Sequence, residues 1–336
     1  MAQNKRMYYA VYQMGFSPLG VNNFTVAHGL QQVGVTTRFN LEQVFEIGMI
    51  SIYDNIENIP DIEVTAEKKL DGYPLLWHLG TYGATSATLG GRSNVKTQIS
   101  LSYFTDTQDA ASGVPLKQVV MSGMFPSAVT ITLPTEGQCT ESVSFVGNNK
   151  IWKSSSFTFN GALTPNDAPL SPSGTMKRQH VLMGSAGCLF PTEIPNISTS
   201  GTNEYDTDGT NFKCHIIQLR ASTNLGRTPL YELGRRGPYH RVTDFPVQVT
   251  SDIEIYCQNG DGINALEDAT SNVTNQTIKF KIADGTIVDL GNKNKLSNIS
   301  ETGGNAGARG GNRTVSFSYV NFNDLTITSP SDPSML

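Results

Sequence analysis

Four carboxylates and one pair of arginines are the side chains of this 336-residue chain best placed to act on a partner. Glu63 and Glu67 fall on one face of an alternating segment, and Asp252 and Glu254 on one face of another, so each pair presents its acids from one side of a strand. Such a face repels phosphates, where a basic one would hold them by counterion release. Arg235 and Arg236, in ELGRRGPYHR, stand between Gly234 and Gly237-Pro238, a sharp turn that offers two guanidiniums. They suit an anion or, better in an assembling protein, the carboxylates of a neighbouring subunit. Nothing else reads as chemistry. The chain has no G-x-S-x-G elbow, no H-E-x-x-H and no Walker loop. Its histidines (28, 78, 180, 215 and 240) are dispersed, and Asp206-Thr-Asp208-Gly209 lacks the remaining ligands of a calcium loop. Cys139, Cys188, Cys214 and Cys257 occur singly, without zinc or redox spacing. These observations predict no catalytic residues, no metal and no cofactor, hence a protein that is not an enzyme.

The composition points the same way. Charged residues make up 16% of the chain and the net charge is -5, which argues against a protein that grips DNA. Few charges with abundant Gly, Ser, Thr and Asn suit short strands, many turns and surfaces that bury against copies of themselves. The segment MAQNKRMYYAVYQMG lacks the apolar run of a signal peptide, and Pro74–Leu79 is too short to span a bilayer. A soluble chain with reduced cysteines is expected, with no membrane partner.

The elements that would position these residues are mostly strands. Period-two alternation recurs at 33–39, 62–66, 99–103, 129–133, 143–145, 217–221, 247–249, 253–257, 278–282 and 315–319. Asp284-Gly285 carries the signature of a type I′ hairpin turn. Three short helices are predicted: one capped by Asn40 with Gln43 over LEQVFEIG, one from Asp71 across PLLWHL, and one opened by Pro115 over LKQVVMSG. Residues 81–95, 160–212 and 303–311 read as irregular. The first 30 residues and the segments 81–95 and 160–212 are expected outside the compact fold or between copies, with deletion of 81–95 blocking association more than folding.

The chain also resembles itself. Glu46-Ile47-Gly48, Tyr53 and Pro60 match Glu232-Leu233-Gly234, Tyr239 and Pro246, each displaced by 186 positions. Val64-Thr65 matches Val249-Thr250 at 185, and Val143-Ser144-Phe145 matches Val315-Ser316-Phe317 at 172. Three windows in one order indicate a duplicated domain. The boundaries read as an N-terminal arm (1–30), a first β domain (31–160), an irregular linker (161–212), a second β domain (213–328) and a C-terminal tail (329–336).

QQVGVTTRFNLEQVFEIGMISIYDNIENIPDIEVTAEKKLDGYPL (31–75) resembles the opening of bacteriophage tail tube proteins. NLGRTPLYELGRRGPYHRVTDFPVQVTSDIEIYC (224–257) is similar to the matching part of a second copy, and SVSFVGNNKIW (142–152) also fits. The resemblance implies a mainly β fold: a duplicated β-sandwich or barrel with short flanking helices, whose strands join those of its copies around a lumen. It implies a virion tail protein, assembled in the host cytoplasm, whose partners are itself and other tail proteins (sheath if contractile, terminator, baseplate, tape measure). DNA would meet it only in transit. Doubled length favours a trimer with pseudo-sixfold symmetry over a hexamer. The lumen candidates are Glu63, Glu67, Asp252 and Glu254; Arg235 and Arg236 are the inter-subunit candidates. The competing readings are another virion binding module (baseplate, receptor-binding or capsid decoration) and a cell-wall hydrolase, for which the sequence shows no carboxylate pair or metal site.

Overall fold

A computed structural model describes residues 9, 12–21, 23–104, 115–153, 174–183, 187–194, 215–256, 260–264, 274–303 and 312–333. The expectations for 160–173, 184–186, 195–212 and 304–311, and for Cys214 and Cys257, lie outside the described residues. The fold is mainly β. One layer is an antiparallel sheet of eight strands in the order β3 (Leu30–Arg38), β6 (Asp61–Lys69), β9 (Thr140–Gly147), β8 (Lys117–Pro134), β11 (His215–Asn224), β14 (Gln248–Tyr256), β18 (Thr314–Phe322) and β17 (Lys295–Thr302). Side chains along β6, β9, β14 and β18 alternate between buried and half-buried or exposed, so one face carries the core.

The core face is covered by two smaller groups. Under the first half lie β1 (Tyr12–Pro18), β2 (Thr25–Val26), β7 (Thr97–Tyr103), the N-terminal part of β8 and β10 (Ile151–Lys153). Phe16 meets Phe145 there at 5.5 Å between ring centroids. Under the second half lie β15 (Lys279–Lys281), β16 (Ile287–Asp289) and β19 (Thr326–Thr328). Strand β8 serves both layers by bending at Gly123, which sits at φ +70° and is left unpaired between Ser122 and Met124 opposite β7.

The two halves repeat one topology. Each has a first strand (β3 or β11), a projecting hairpin, and then a second strand (β6 or β14). The hairpins are β4 (Leu41–Phe45) with β5 (Ile52–Glu57), and β12 (Thr228–Leu230) with β13 (His240–Val242). The set β7–β8–β10 of the covering layer is answered by β15–β16–β19. Even the bulges correspond. Those at Leu30/Gln32 and Ile216/Gln218 lie 186 positions apart, and those at Pro126/Ala128 and Leu296/Asn298 lie 170 apart. The ladders then superpose with β6 displaced to β14 by 187 and β9 to β18 by 174. Each value exceeds the sequence match by two, because a slip of two residues preserves the in-and-out pattern and cannot be seen in it.

Several expectations are corrected. LEQVFEIG is not a helix but β4 and its turn. Asn40 donates to Ile59 O (3.0 Å) and Asp61 Oδ2 (3.0 Å), tying the hairpin base instead of capping a helix. LKQVVMSG runs into β8, where Gln118–Met121 is buried between β7 and β10. The second helix, α1, spans Leu76–Gly80; its first amides are capped by Glu141 from β9 (2.7 and 2.8 Å to Leu76 N and Trp77 N), not by Asp71. Asp71 accepts from Tyr73 N and pairs with Lys68. Residues 81–95 hold a short helix, α2 (Leu89–Ser93), whose Leu89 and Arg92 are buried, so deleting them removes core. Residues 12–26, read as part of an arm, contribute buried Met14, Phe16, Phe24 and Val26. Asp332, read as part of a tail, is buried against Arg92. The turn at Asp284-Gly285 is not type I′: Gly285 alone has positive φ, its amide bonded to Ile282 O. No closed barrel forms among the described residues, since β3 pairs only with β6 and β17 only with β18.

Candidate assembly edges and polar sheet face

The face of the eight-stranded sheet opposite the core is one hydroxyl-rich surface. Following the ladders, Gln32, Glu67, Ser142, Thr130, Ser222, Thr250, Val320 and Lys295 form a single row across all eight strands. The adjacent row runs Lys69, Thr140, Thr132, Arg220, Asp252, Ser318 and Asn298. Glu254 lies one row further, between Gln218 and Ser316, and Glu63 lies between Thr36 and Val146. All four predicted acids therefore share this face, although they come from strands four apart in the sheet. The sequence reading missed the cations among them: Arg38, Lys69, Arg220 and Lys295. Arg38 pairs with Glu63 at 3.3 Å, and Ser318 Oγ donates to Asp252 at 2.6 Å. The surface is thus polar and nearly balanced in charge rather than strongly acidic.

The two halves meet edge to edge. β8 and β11 pair from Asn224 opposite Ala128 to Gln218 opposite Pro134, sealing Leu219 against Leu133 and Ala221 against Ile131. The β12–β13 hairpin locks this junction. Arg227 Nε donates to Pro126 O at 2.8 Å, and its guanidinium lies over the Phe125 ring. Burial, with Arg241 nearby, lowers the Arg227 pKa to about 10, so it stays charged at neutral pH. Arg241 pairs with Asp61 and donates from Nε to Asn148 Oδ1 (3.1 Å), while His240 meets Phe125 edge-on at 5.3 Å. Partial burial alone would raise the Asp61 carboxyl; the bonds from Asn40, Arg241 and Asn148 outweigh it and hold the pKa below the usual range.

The corresponding β4–β5 hairpin stands largely uncovered among the described residues. Its residues are almost all exposed, including Leu41, Phe45, Ile47, Met49, Ile50, Ile52, Tyr53 and Ile56. The two hairpins are built alike. Gly48 and Gly234 both have positive φ, and the turns close by Met49 N to Glu46 O (3.2 Å) and Arg235 N to Glu232 O (3.4 Å). Arg235 and Arg236 are exposed at the second tip, Arg235 paired with Glu232 of its own turn at 3.2 Å. The Glu-x-Gly matches in the sequence mark these tips, but nothing there tells a hairpin from a helix.

Among the described residues no three His, Cys, Asp or Glu side chains cluster to hold a metal ion, and no helix is long and apolar enough to cross a membrane. No protein-family model matches the chain, and no curated protein matches it. Two of the solved structures that share a limited likeness with part of the chain come from one particle. One is a chain of the anti-feeding prophage baseplate (TM-score 0.35, 9% identity, 45% of this chain and 97% of the other). The other belongs to the tube-terminating cap of the same particle (TM-score 0.34, 10% identity, 46% and 95%).

Proposed function

We propose that this chain is a structural, non-catalytic subunit of a bacteriophage tail tube, three copies closing a pseudo-sixfold ring whose polar face lines a passage for DNA. One observation carries the reading. A four-strand unit occurs twice, joined strand to strand, and among the described residues the outer edge of each unit, β3 and β17, is unpaired. A sheet whose two free edges repeat the two partners already joined inside the chain keeps adding copies until it closes on itself, and closure removes the edges that would otherwise aggregate. Each chain supplies two units, so three chains supply six.

The chemistry of the open face suits transit. Hydroxyls in rows, with carboxylates and cations interspersed, give no continuous positive strip on which phosphates would release counterions and stick. The resemblance at 31–75 and 224–257 supports the assignment to tails, in the virion, with sheath, terminator, baseplate or tape measure proteins as neighbours. Negative-stain microscopy of the concentrated protein tests it. Stacked rings or hollow tubes, with a bore that admits duplex DNA, are expected; a chain that stays monomeric at every concentration overturns the reading.

A further inference from the structure

The geometry points to a chain-to-chain interface that copies the internal β8–β11 junction, with β17 of one copy pairing antiparallel to β3 of the next in a defined register. This rests on the ring reading above and adds the residues that make the ring. Because the bulges fix the correspondence, β17 stands where β8 stands and β3 where β11 stands. Transferring the observed pairs gives Arg38 opposite Asn298, Thr37 opposite Ile299, Thr36 opposite Ser300, Val35 opposite Glu301 and Gly34 opposite Thr302.

Three features of the free edges agree with this seat. Parity is right: Thr36 and Ser300 both belong to the polar face, and Thr37 and Ile299 both to the core face. Val33, Val35 and Ile299 are only partly buried, whereas their internal counterparts Leu219, Ala221 and Val129 are buried. A partner strand would complete the burial at those three positions. Glu301 is the exception, standing where Ile131 stands; it is paired with Arg313, and a charged edge discourages pairing with a wrong partner.

The same transfer places the uncovered hairpin. In the chain, β12–β13 seats on the Phe125, Asp61 and Asn148 end of the first unit. The β4–β5 hairpin of the next copy then seats on Lys295, Gln248 and Phe322, the corresponding positions of the second unit. Phe322 is 57% exposed in the single chain, an apolar site facing an apolar hairpin. Asp54, the counterpart of His240, falls opposite Lys295, the counterpart of Phe125. An aromatic contact inside the chain becomes an ion pair between chains.

Disulfide trapping in assembled rings tests the register. Thr36→Cys with Ser300→Cys should cross-link under mild oxidation into covalent species that end at a closed set of three. Arg38→Cys with Thr302→Cys shares the face but is four residues, roughly 13 Å, out of register and should stay unlinked. The unsubstituted chain is the control for its native cysteines. In parallel, Asp54→Lys and Lys295→Asp should each reduce ring yield several-fold and restore it when combined. Rings seen by microscopy without the Thr36–Ser300 link, or with the Arg38–Thr302 link instead, overturn the register while leaving the ring. No rings at all from the unsubstituted chain removes the reading beneath it. Loss of yield in both charge variants without rescue places the hairpin elsewhere and overturns that part of the proposal.

Discussion

At the residue scale, the fold depends on ionisable groups buried among apolar ones. His78 on α1 is fully buried, its Nε2–H donating to Ile327 O at 3.0 Å, and with Arg92 and Asp332 it ties α1 to the chain beyond β19. Burial holds the imidazole neutral and lowers its pKa from 6.5 to about 4, against the pull of Asp332. The unfolded chain therefore binds the proton first as the pH falls. This contribution is complete above pH 6.5 and is lost between 6.5 and 4, at a slope on the order of 1 kcal/mol per pH unit. Urea denaturation at pH 7 and pH 5 should show the drop, and His78→Gln should flatten it; an unchanged slope in the variant would assign the effect to another group. Lys68 and Glu141 were the harder residues to read. They sit directly opposite one another at core positions of β6 and β9, where a strand pattern calls for apolar side chains. Their alternation was legible, but the backbone groups that satisfy them come from 73–77, and no local pattern announces that. The acids were easier: side-chain parity alone put Glu63 with Glu67, and Asp252 with Glu254, on one face. Parity says nothing of strand order, so the cations beside them stayed hidden.

At the scale of elements, the two mistaken helices share a cause. In each, a helix-start signal decides where side-chain period does not: Val119–Met121 is a short apolar run buried on both faces that shows no period. In LEQVFEIG, the Asn40 and Gln43 spacing mimics a capping box, but the tertiary bonds of Asn40 to 59–61 outweigh the local preference. The hairpin it anchors is almost wholly exposed among the described residues, which makes the two hairpins separable by mutation. Replacing 41–57 with a short turn should leave the melting temperature within a few degrees of the parent and abolish rings. Truncating Arg241 to Ala should instead loosen the internal junction, costing about 1–3 kcal/mol, because Asp61 and Asn148 lose their donor. Thermal melts paired with microscopy distinguish these outcomes; a β4–β5 deletion that still forms normal rings would contradict the docking role. A deletion of 81–95, by the same logic, should unfold the chain through loss of Leu89 and Arg92.

At the scale of the whole molecule, the proposed ring would make a sixfold surface from threefold chemistry. Hairpin tips that correspond in backbone differ in side chains: Met49 and Ile50 in one stand where Arg235 and Arg236 stand in the other. Around a ring the tips would alternate apolar and cationic, so partners above and below can be recognised in three orientations. The polar face carries a second consequence. Replacing Glu63, Glu67, Asp252 and Glu254 with Lys should leave rings intact and give them a salt-dependent affinity for duplex DNA, read by filter binding; assembly failure without DNA binding would deny them a lumen position. The most direct measurement is a cryo-electron microscopy average of the rings without imposed symmetry. The account predicts three chains, six similar lobes, and hairpins that alternate in density around the circumference. Six identical subunits in one ring, each contributing both units stacked along the axis, would contradict it.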